Sequence, residues 1–368
     1  MSFYVRATIT YILFYLYIRL WICRLLVDNP KIKRVVIIAT DLMTLVMPIT
    51  VFFPEHLPYL LKIFMQGAGY SWAAIIACMV PVGLCFEPIR WGVKLLGNGI
   101  KVPKLKVFGV LCLISIVMTV GGYINATSPT VKEIDFDLTN GSKEAKEYRV
   151  AMFSDLHAGK LMTRDRVAAV VSLVNSLKPD IVFMVGDVLD DHDSELTGAV
   201  EELALIKAPL GKFAVLGNHE FYLGNNWSRS MLEKQGIKVL GDSSAVIDDQ
   251  FLLVGRNDFA NIRGGGLVRG ALKNVIPKGN KLPIILMDHT PHELEEAEQN
   301  NVALQLSGHT HNGQLFPFNL VVKRIYEEEY GTYQRGDTRY YISCGVGIWG
   351  PPLRTTARPE VVLMKIRI

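Results

Sequence analysis

Cysteine is scarce in this chain, and acidic residues are scarce in its first third. Five cysteines occur in 368 residues, and only Cys344 lies beyond residue 125. A lone cysteine there cannot close an internal disulfide, and no Cys-x-x-Cys or zinc-finger spacing occurs. That absence is neutral about compartment, because an extracytoplasmic domain need not carry disulfides. Residues 1–125 hold 4 Asp/Glu against 12 Lys/Arg, while the remainder holds 31 against 27. The net charge of +4 therefore belongs to the first third. Residues 126–368 lack the basic stripe that nucleic-acid binding requires, so no nucleic-acid partner is expected. Internal repeats and low-complexity segments are absent.

The first third holds four apolar stretches instead, at residues 7–23, 35–53, 69–86 and 107–124. Each approaches the roughly 20 apolar residues that a spanning helix needs. Arg19 interrupts the first stretch, and no small-residue cleavage site follows it, so it does not read as a removable signal peptide. Residues 1–125 are therefore expected to form an all-α transmembrane region of three to four helices, in contact with membrane lipids, ahead of a domain at 126–368. Loop 24–34 carries Arg24, Lys31, Lys33 and Arg34. Loop 88–106 carries Arg90, Lys94, Lys101, Lys104 and Lys106, whereas loop 54–68 has only Lys62. Basic loops stay in the cytoplasm. This predicts a multi-pass protein of the cell membrane with residues 126–368 extracytoplasmic. Asp41 lies inside the second stretch without a second ionisable partner in the spans. It reads as hydrogen-bonded to a neighbouring helix rather than as a proton relay.

Beyond residue 130 the pattern alternates between strands and helices. "VKEIDFDL" alternates apolar and polar residues, and "YRVAMFSD", "DIVFMVGD", "KFAVLGNHE", "PIILMDH" and "VALQLSGHTH" are apolar runs ending in polar turns. Helical spacing marks "RDRVAAVVSLVNSL", residues 194–207 and "HELEEAEQN", and the strand-like "YYISCGVGI" and "EVVLMKIRI" close the chain. Such alternation predicts an α/β fold of sheets covered by helices.

Polar residues gather at the strand ends, where α/β sheets build their sites. They are Asp155 and His157, Asp187 and Asp190, Asn218 and His219, His289, and His309 and His311. Carboxylate, imidazole and amide oxygen all bind metal, and a mixed N/O set suits Mn, Fe, Zn or Ni. Two divalent cations roughly 3.5–4 Å apart can hold a phosphoryl group and an activated water together, with Asp187 as the bridging carboxylate. On a strand, His309 and His311 would point the same way, about 6–7 Å apart, one for each metal. Gly186, Gly217, Gly308 and Gly313 would let the backbone turn.

The order Asp-x-His, Gly-Asp-x-x-Asp, Gly-Asn-His-Glu, His, Gly-His-Thr-His resembles the signature of the calcineurin-like metallophosphoesterases over residues 148–366. The likeness is greatest to their membrane-anchored bacterial branch, although Asn312 replaces a glycine of its last motif. The resemblance implies a four-layer α/β/β/α sandwich with a dinuclear centre. It assigns Asp155, His157, Asp187 and His311 to one metal, and Asp187, Asn218, His289 and His309 to the other. His219 would face the substrate and protonate the leaving group, and Asp190 would orient a ligand. Arg256 and Arg354 are candidates for the substrate phosphate. His192 reads as a solvated loop residue, His292 as structural, the Glu327–Glu329 run as a solvated face, and "RGGG" at 263–266 as a flexible loop. The expected activity is hydrolysis of a phosphomonoester or phosphodiester by a dinuclear-metal-activated hydroxide, with lipid-linked substrates suggested by the membrane tether. Alternatives are a nucleotide-diacylglucosamine pyrophosphohydrolase, which would need the cytoplasmic face, and a catalytically silent membrane scaffold.

Overall fold

The structure is a computed structural model describing residues 3–53, 56–95, 103–139, 145–190, 194–260 and 269–368. The chain divides into two compact units. The first comprises Met1–Ile124 with Leu315–Pro317 and Gly350–Thr355, and the second comprises the rest.

Four helices make up most of the first unit: α1 (Phe3–Leu25), α2 (Pro30–Phe52), α3 (Tyr59–Leu95) and α4 (Lys104–Ala126). All four are long and apolar enough to cross a membrane. The third differs from expectation: the apolar stretch 69–86 lies inside one continuous 37-residue helix that also takes in Arg90 and Lys94. Pro81 and Pro88 fall inside α3. Trp21, Ile18, Ile22 and Ile76 pack fully buried between these helices. Asp41 does have an ionisable partner. Arg19 of α1 places its Nε 3.1 Å from Asp41 Oδ1, and the Tyr15 hydroxyl donates to the same oxygen. A partner on another helix does not show in the pattern of α2 alone.

In the second unit the chain runs β1 (Thr130–Asp137), β2 (Glu147–Phe153), α5 (Arg164–Ser176), β3 (Ile181–Val185), α6 (Ser194–Glu201) and β4 (Lys212–Val215). It continues through α7 (Asn218–Leu223), α8 (Asn225–Glu233), β5 (Lys238–Val239), β6 (Ser243–Ile247), β7 (Phe251–Gly255), α9 (Leu272–Val275) and β8 (Ile284–Met287). It ends with α10 (Leu294–Gln299), β9 (Leu304–Ser307), α11 (Phe318–Ile325), β10 (Gly331–Arg335), β11 (Thr338–Ile342) and β12 (Glu360–Arg367). One sheet has the order β1-β12-β2-β3-β4-β5, the other β10-β11-β9-β8-β7-β6. Strands β2 to β5 are mutually parallel, as are β7, β8, β9 and β11.

Alternation along the strands builds the layers. Val150, Met152, Phe183 and Val185 of the first sheet meet Phe251, Leu253, Ile285 and Leu306 of the second in one buried cluster. Ala151, Phe153, Val182 and Met184 point the other way, onto Val167, Val170, Val171 and Val174 of α5. Those four valines stand at i, i+3, i+4 and i+7, one side of a helix, and α5 stops before Lys178-Pro179 because proline disfavours the preceding residue in a helix. The second sheet's other face, with Leu252, Val254 and Leu286, packs on Leu294 and Ala297 of α10. The result is the expected four-layer α/β/β/α sandwich. Burying each Phe or Val contributes about 1.5–3 kcal/mol before entropy is counted.

Candidate metal centre

Strands β2, β3, β4, β8 and β9 deliver the polar residues immediately after their C-terminal ends. Backbone bonds tie these turns together. The Asp155 N–H donates to the Gly186 carbonyl at 2.9 Å, and His157 to the Asp187 carbonyl at 2.9 Å. Between the sheets, the His309 N–H donates to the Asp155 carboxylate at 3.0 Å, and His289 Nδ1 donates to the Val185 carbonyl at 2.8 Å. That last bond holds a proton on Nδ1 and turns Nε2 of His289 toward the Asp187 carboxylate.

Three groupings result among the described residues. Asp155, His157 and His311 offer donor atoms within 4.8 Å of one another, as do Asp187, His289 and His309, and also His157, Asp187 and His219. His157 Nε2 and His311 Nε2 stand 3.1 Å apart. Two nitrogens on one ion, each about 2.0–2.1 Å from it, would be about 2.9–3.4 Å apart. His289 Nε2 lies 3.2 Å from Asp187 Oδ2 without hydrogen-bond geometry. Three buried atoms here have no hydrogen-bond partner among the described residues: Asn218 Oδ1, His289 Nε2 and His309 Nδ1. Each belongs to a residue that the motif assigned to metal. Leaving such atoms unmatched costs about 1–3 kcal/mol apiece, and the donor set fits a divalent cation.

The spacing of His309 and His311 arises differently from the strand geometry expected. Strand β9 ends at Ser307, and both histidines adopt left-handed backbone, with φ of 69° and 49°. The turn, not a two-residue period, separates them. The glycines also divide by role. Gly186 has φ of 79°, a turn that favours glycine. Gly308 instead permits close approach, since a Cβ there would stand 2.5 Å from Asp155 Oδ2.

Charge is strongly coupled in the cluster. Burial opposes ionisation of Asp187, yet the positive charge of protonated His289, His219 and His157 holds its carboxyl well below the usual range. Burial would likewise lower His219, but Asp187 and Asp190 hold it up to about 9. Asp190 Oδ1 reaches His219 Nδ1 at 2.5 Å and His157 Nδ1 at 3.3 Å, bridging the two. His309 is lowered by burial and by His289 beside it. The ring of His219 is flanked by Trp349 at 6.0 Å and Tyr222 at 5.9 Å.

Glu220 is a residue the motif reading passed over. Its fully buried carboxylate accepts the N–H groups of Gly217 at 2.7 Å, Asp187 at 3.0 Å and Leu189 at 2.8 Å. Burial and the neighbouring Asp187 push it up to about 7. It stitches the turn after β3 to the turn after β4. A glutamate next to Asn218-His219 was the available signal, and only its burial reveals the role.

Other candidates are placed elsewhere. Arg256 is not brought into any of the three groupings; it donates to Glu296 and to the Gly270 carbonyl, the latter at 2.6 Å. Arg354 is fully buried and groups with the first unit, where its N–H donates to the Gly122 carbonyl at 3.0 Å. His292 stacks on Tyr326 at 4.9 Å, a packing role. Glu327 pairs with Arg335 at 3.1 Å. His192 and residues 263–266 lie outside the described residues.

Residues 148–313 match the calcineurin-like phosphoesterase family. The chain is 38% identical over 227 residues to an uncharacterized metallophosphoesterase of Aquifex aeolicus, a match covering 60% of this chain and 85% of that protein. It is 29% identical over 312 residues to an uncharacterized metallophosphoesterase of Campylobacter jejuni, covering 81% and 82%. A Danio rerio protein named transmembrane protein with metallophosphoesterase domain is 33% identical over 266 residues, covering 68% of this chain. The match spans 60% of that relative's length.

Proposed function

This chain belongs to the calcineurin-like phosphoesterases and is a hydrolase of phosphoric ester bonds, and from that premise we propose that residues 126–368 hydrolyse a phosphomonoester or phosphodiester with two divalent cations. Asp155, His157, Asp187 and His311 would hold one ion, and Asp187, Asn218, His289 and His309 the other. The observation that carries this reading is the set of buried, unmatched atoms beside Asp187: Asn218 Oδ1, His289 Nε2 and His309 Nδ1. The mixed donors suit Mn, Fe, Zn or Ni. When bound, the ions would supply an activated water and neutralise charge on the phosphoryl oxygens.

The chain's own side chains orient and move protons. Asp190 fixes His219 through Nδ1, leaving Nε2 toward the reacting phosphoryl group. Protonated there, His219 stabilises phosphoryl oxygens and gives its proton to the departing oxygen. Asp190 also holds His157, so one carboxylate sets the orientation of a metal ligand and of the acid.

The four apolar helices and the relative named as a transmembrane protein support a membrane protein. We place residues 1–125 across the membrane as three to four spans, with residues 126–368 at the outer face of the cytoplasmic membrane, following the basic loops. Proximity then favours a substrate near the bilayer, such as a lipid-linked phosphoester. Protease added to intact spheroplasts should digest residues 126–368; full protection would reverse the orientation.

The activity is tested with full-length, detergent-purified protein on bis-(p-nitrophenyl) phosphate and p-nitrophenyl phosphate. EDTA should stop turnover, Mn²⁺ should restore it, and the faster substrate tells diester from monoester preference. Absence of both turnover and bound metal would overturn the reading.

A further inference from the structure

His219, the proton donor of the proposed reaction, stands beside two aromatic rings. Its Nε2 lies 4.0 Å from Asp187 Oδ2. The Trp349 ring is 6.0 Å from the His219 ring at 83°, and the Tyr222 ring is 5.9 Å away at 57°. Both reach solvent, Trp349 being 37% and Tyr222 68% exposed. Tyr222 follows His219 by three residues on α7, which brings the two side chains to one face of that helix. His219, Tyr222 and Trp349 all belong to the second unit.

The backbone of Trp349 is held by the same turns that carry Asp155 and His311. Gln314, three residues after His311, is buried. Its Nε2 donates to the Trp349 carbonyl at 2.6 Å, and its Oε1 accepts the Trp349 N–H at 3.4 Å. Two residues earlier, the Gly347 N–H donates to the Asp155 carbonyl at 2.9 Å. A Cβ on Gly347 would stand 2.0 Å from the Leu156 carbonyl oxygen, so this segment lies pressed against the turn of Asp155 and His157. A backbone fixed at both turns presents the indole in one place, and a group fixed before binding loses little entropy when a ligand packs on it.

We propose that Trp349 and Tyr222 form a leaving-group subsite for an alcohol whose carbon body is apolar. The inference rests on the hydrolase reading and names its substrate class. The bond from phosphorus to the leaving oxygen breaks as the oxygen of water bonds to phosphorus. His219 Nε2 gives the leaving oxygen its proton, and the proton released by the water restores His219. The carbon next to the leaving oxygen is one bond from the atom that His219 protonates, within reach of both rings. Aromatic carbon packs on an alkyl or aryl body by burying apolar surface. The hydroxyls of a polyol there would give up water without equal partners.

The test uses the full-length, detergent-purified protein with Mn²⁺. Release of the alcohol is measured from phosphate esters of 2-naphthol, phenol, hexanol and glycerol, each as the monoester and as the methyl diester. Expected is a kcat/KM at least about fivefold higher for naphthol than for phenol, or for hexanol than for glycerol. A gain in the first pair identifies a planar ring as the occupant, and a gain in the second a chain; either supports the subsite. Trp349→Ala should bring the gained ratio down to about one, and Trp349→Phe should keep it. A structural role alone would lower both members of a pair together and leave the ratio as it was. If Trp349→Ala does not fold, Tyr222→Ala at the more exposed ring reads the same ratio. Wild-type ratios near one in both pairs, or a ratio that survives loss of the ring, would overturn the subsite and leave the hydrolase standing. No metal-dependent release from any ester would overturn the hydrolase reading and the subsite with it.

Discussion

Asp41 and Asp187 are both carboxylates set among apolar surroundings, and they are satisfied in opposite ways. Asp41 receives Arg19 and the Tyr15 hydroxyl from the neighbouring helix, so protein supplies its counter-charge. A charge inside an apolar span needs such a partner, because hydrocarbon offers none. Asp187 is surrounded by imidazoles, and buried atoms of Asn218, His289 and His309 have no hydrogen-bond partner among the described residues, His289 Nε2 facing only the Asp187 carboxylate at 3.2 Å. Two polar clusters can thus look alike in composition and differ in completeness. The completed one joins two helices, and the incomplete one leaves donor atoms that fit the proposed cations.

The largest expected effect tests that contrast directly. Asp187→Asn should lower phosphoesterase turnover by at least about 100-fold while leaving the far-ultraviolet circular dichroism unchanged. Wild-type rates in that variant would mean that Asp187 does not serve the reaction. Next in size is Asp190→Asn, which frees His157 and His219 from their shared carboxylate. Metal affinity measured by calorimetry should fall by about 10–100-fold, and an unaltered affinity would leave Asp190 with no orienting role.

A smaller effect concerns the protein after EDTA treatment. His219, held up to about 9 by Asp187 and Asp190, binds its proton more tightly folded than unfolded, where its value is about 6.5. Its contribution to stability is complete below about 6.5 and is lost as pH rises through 9. The melting temperature of metal-free protein should therefore fall across that interval. Added Mn²⁺ should remove the fall, because cations take the place of the proton. A metal-free profile that rises over the same interval would contradict the charge pattern around Asp187. The smallest effect is expected at Asp41. Asp41→Asn should leave turnover of a soluble substrate within about twofold, as distant, unconnected sites behave, and a collapse of activity would erase the distinction between the two clusters.

Much of this arrangement was legible in the residues. Strands β2, β3, β4, β8 and β9 are buried on both faces, so each appears as an apolar run that must end in a turn, and the turn residues were the chemically distinctive ones. Helix α5 announced itself through four valines at helical spacing. Elements set by context were not read. Strand β5 has two residues, and an apolar run as short as that of β7 fits strand or buried helix equally well. Helices α7 and α8 begin directly behind the turn of Asn218, where the eye stops at the motif. The left-handed conformations of His309 and His311 have no periodic signature, so extending β9 through them gave the right neighbours for the wrong geometric reason. Arg19 and Asp41 are 22 residues apart, and only packing of α1 on α2 brings them together.

The backbone of the strand-end turns has an evolutionary consequence. Asp155, His157, Asp187, His309 and His311 all have positive φ, between 49° and 69°. Besides glycine, the residues that enter that region most readily are Asn, Asp and His. The same three supply the oxygen and nitrogen donors of a mixed-ligand site. Conformation and coordination therefore draw on one three-letter alphabet at these positions. A lineage can exchange letters within it one codon at a time, whereas a move to cysteine or glutamate must satisfy a second, unrelated demand in the same step. The turns narrow the paths by which this centre could drift toward another ligand set.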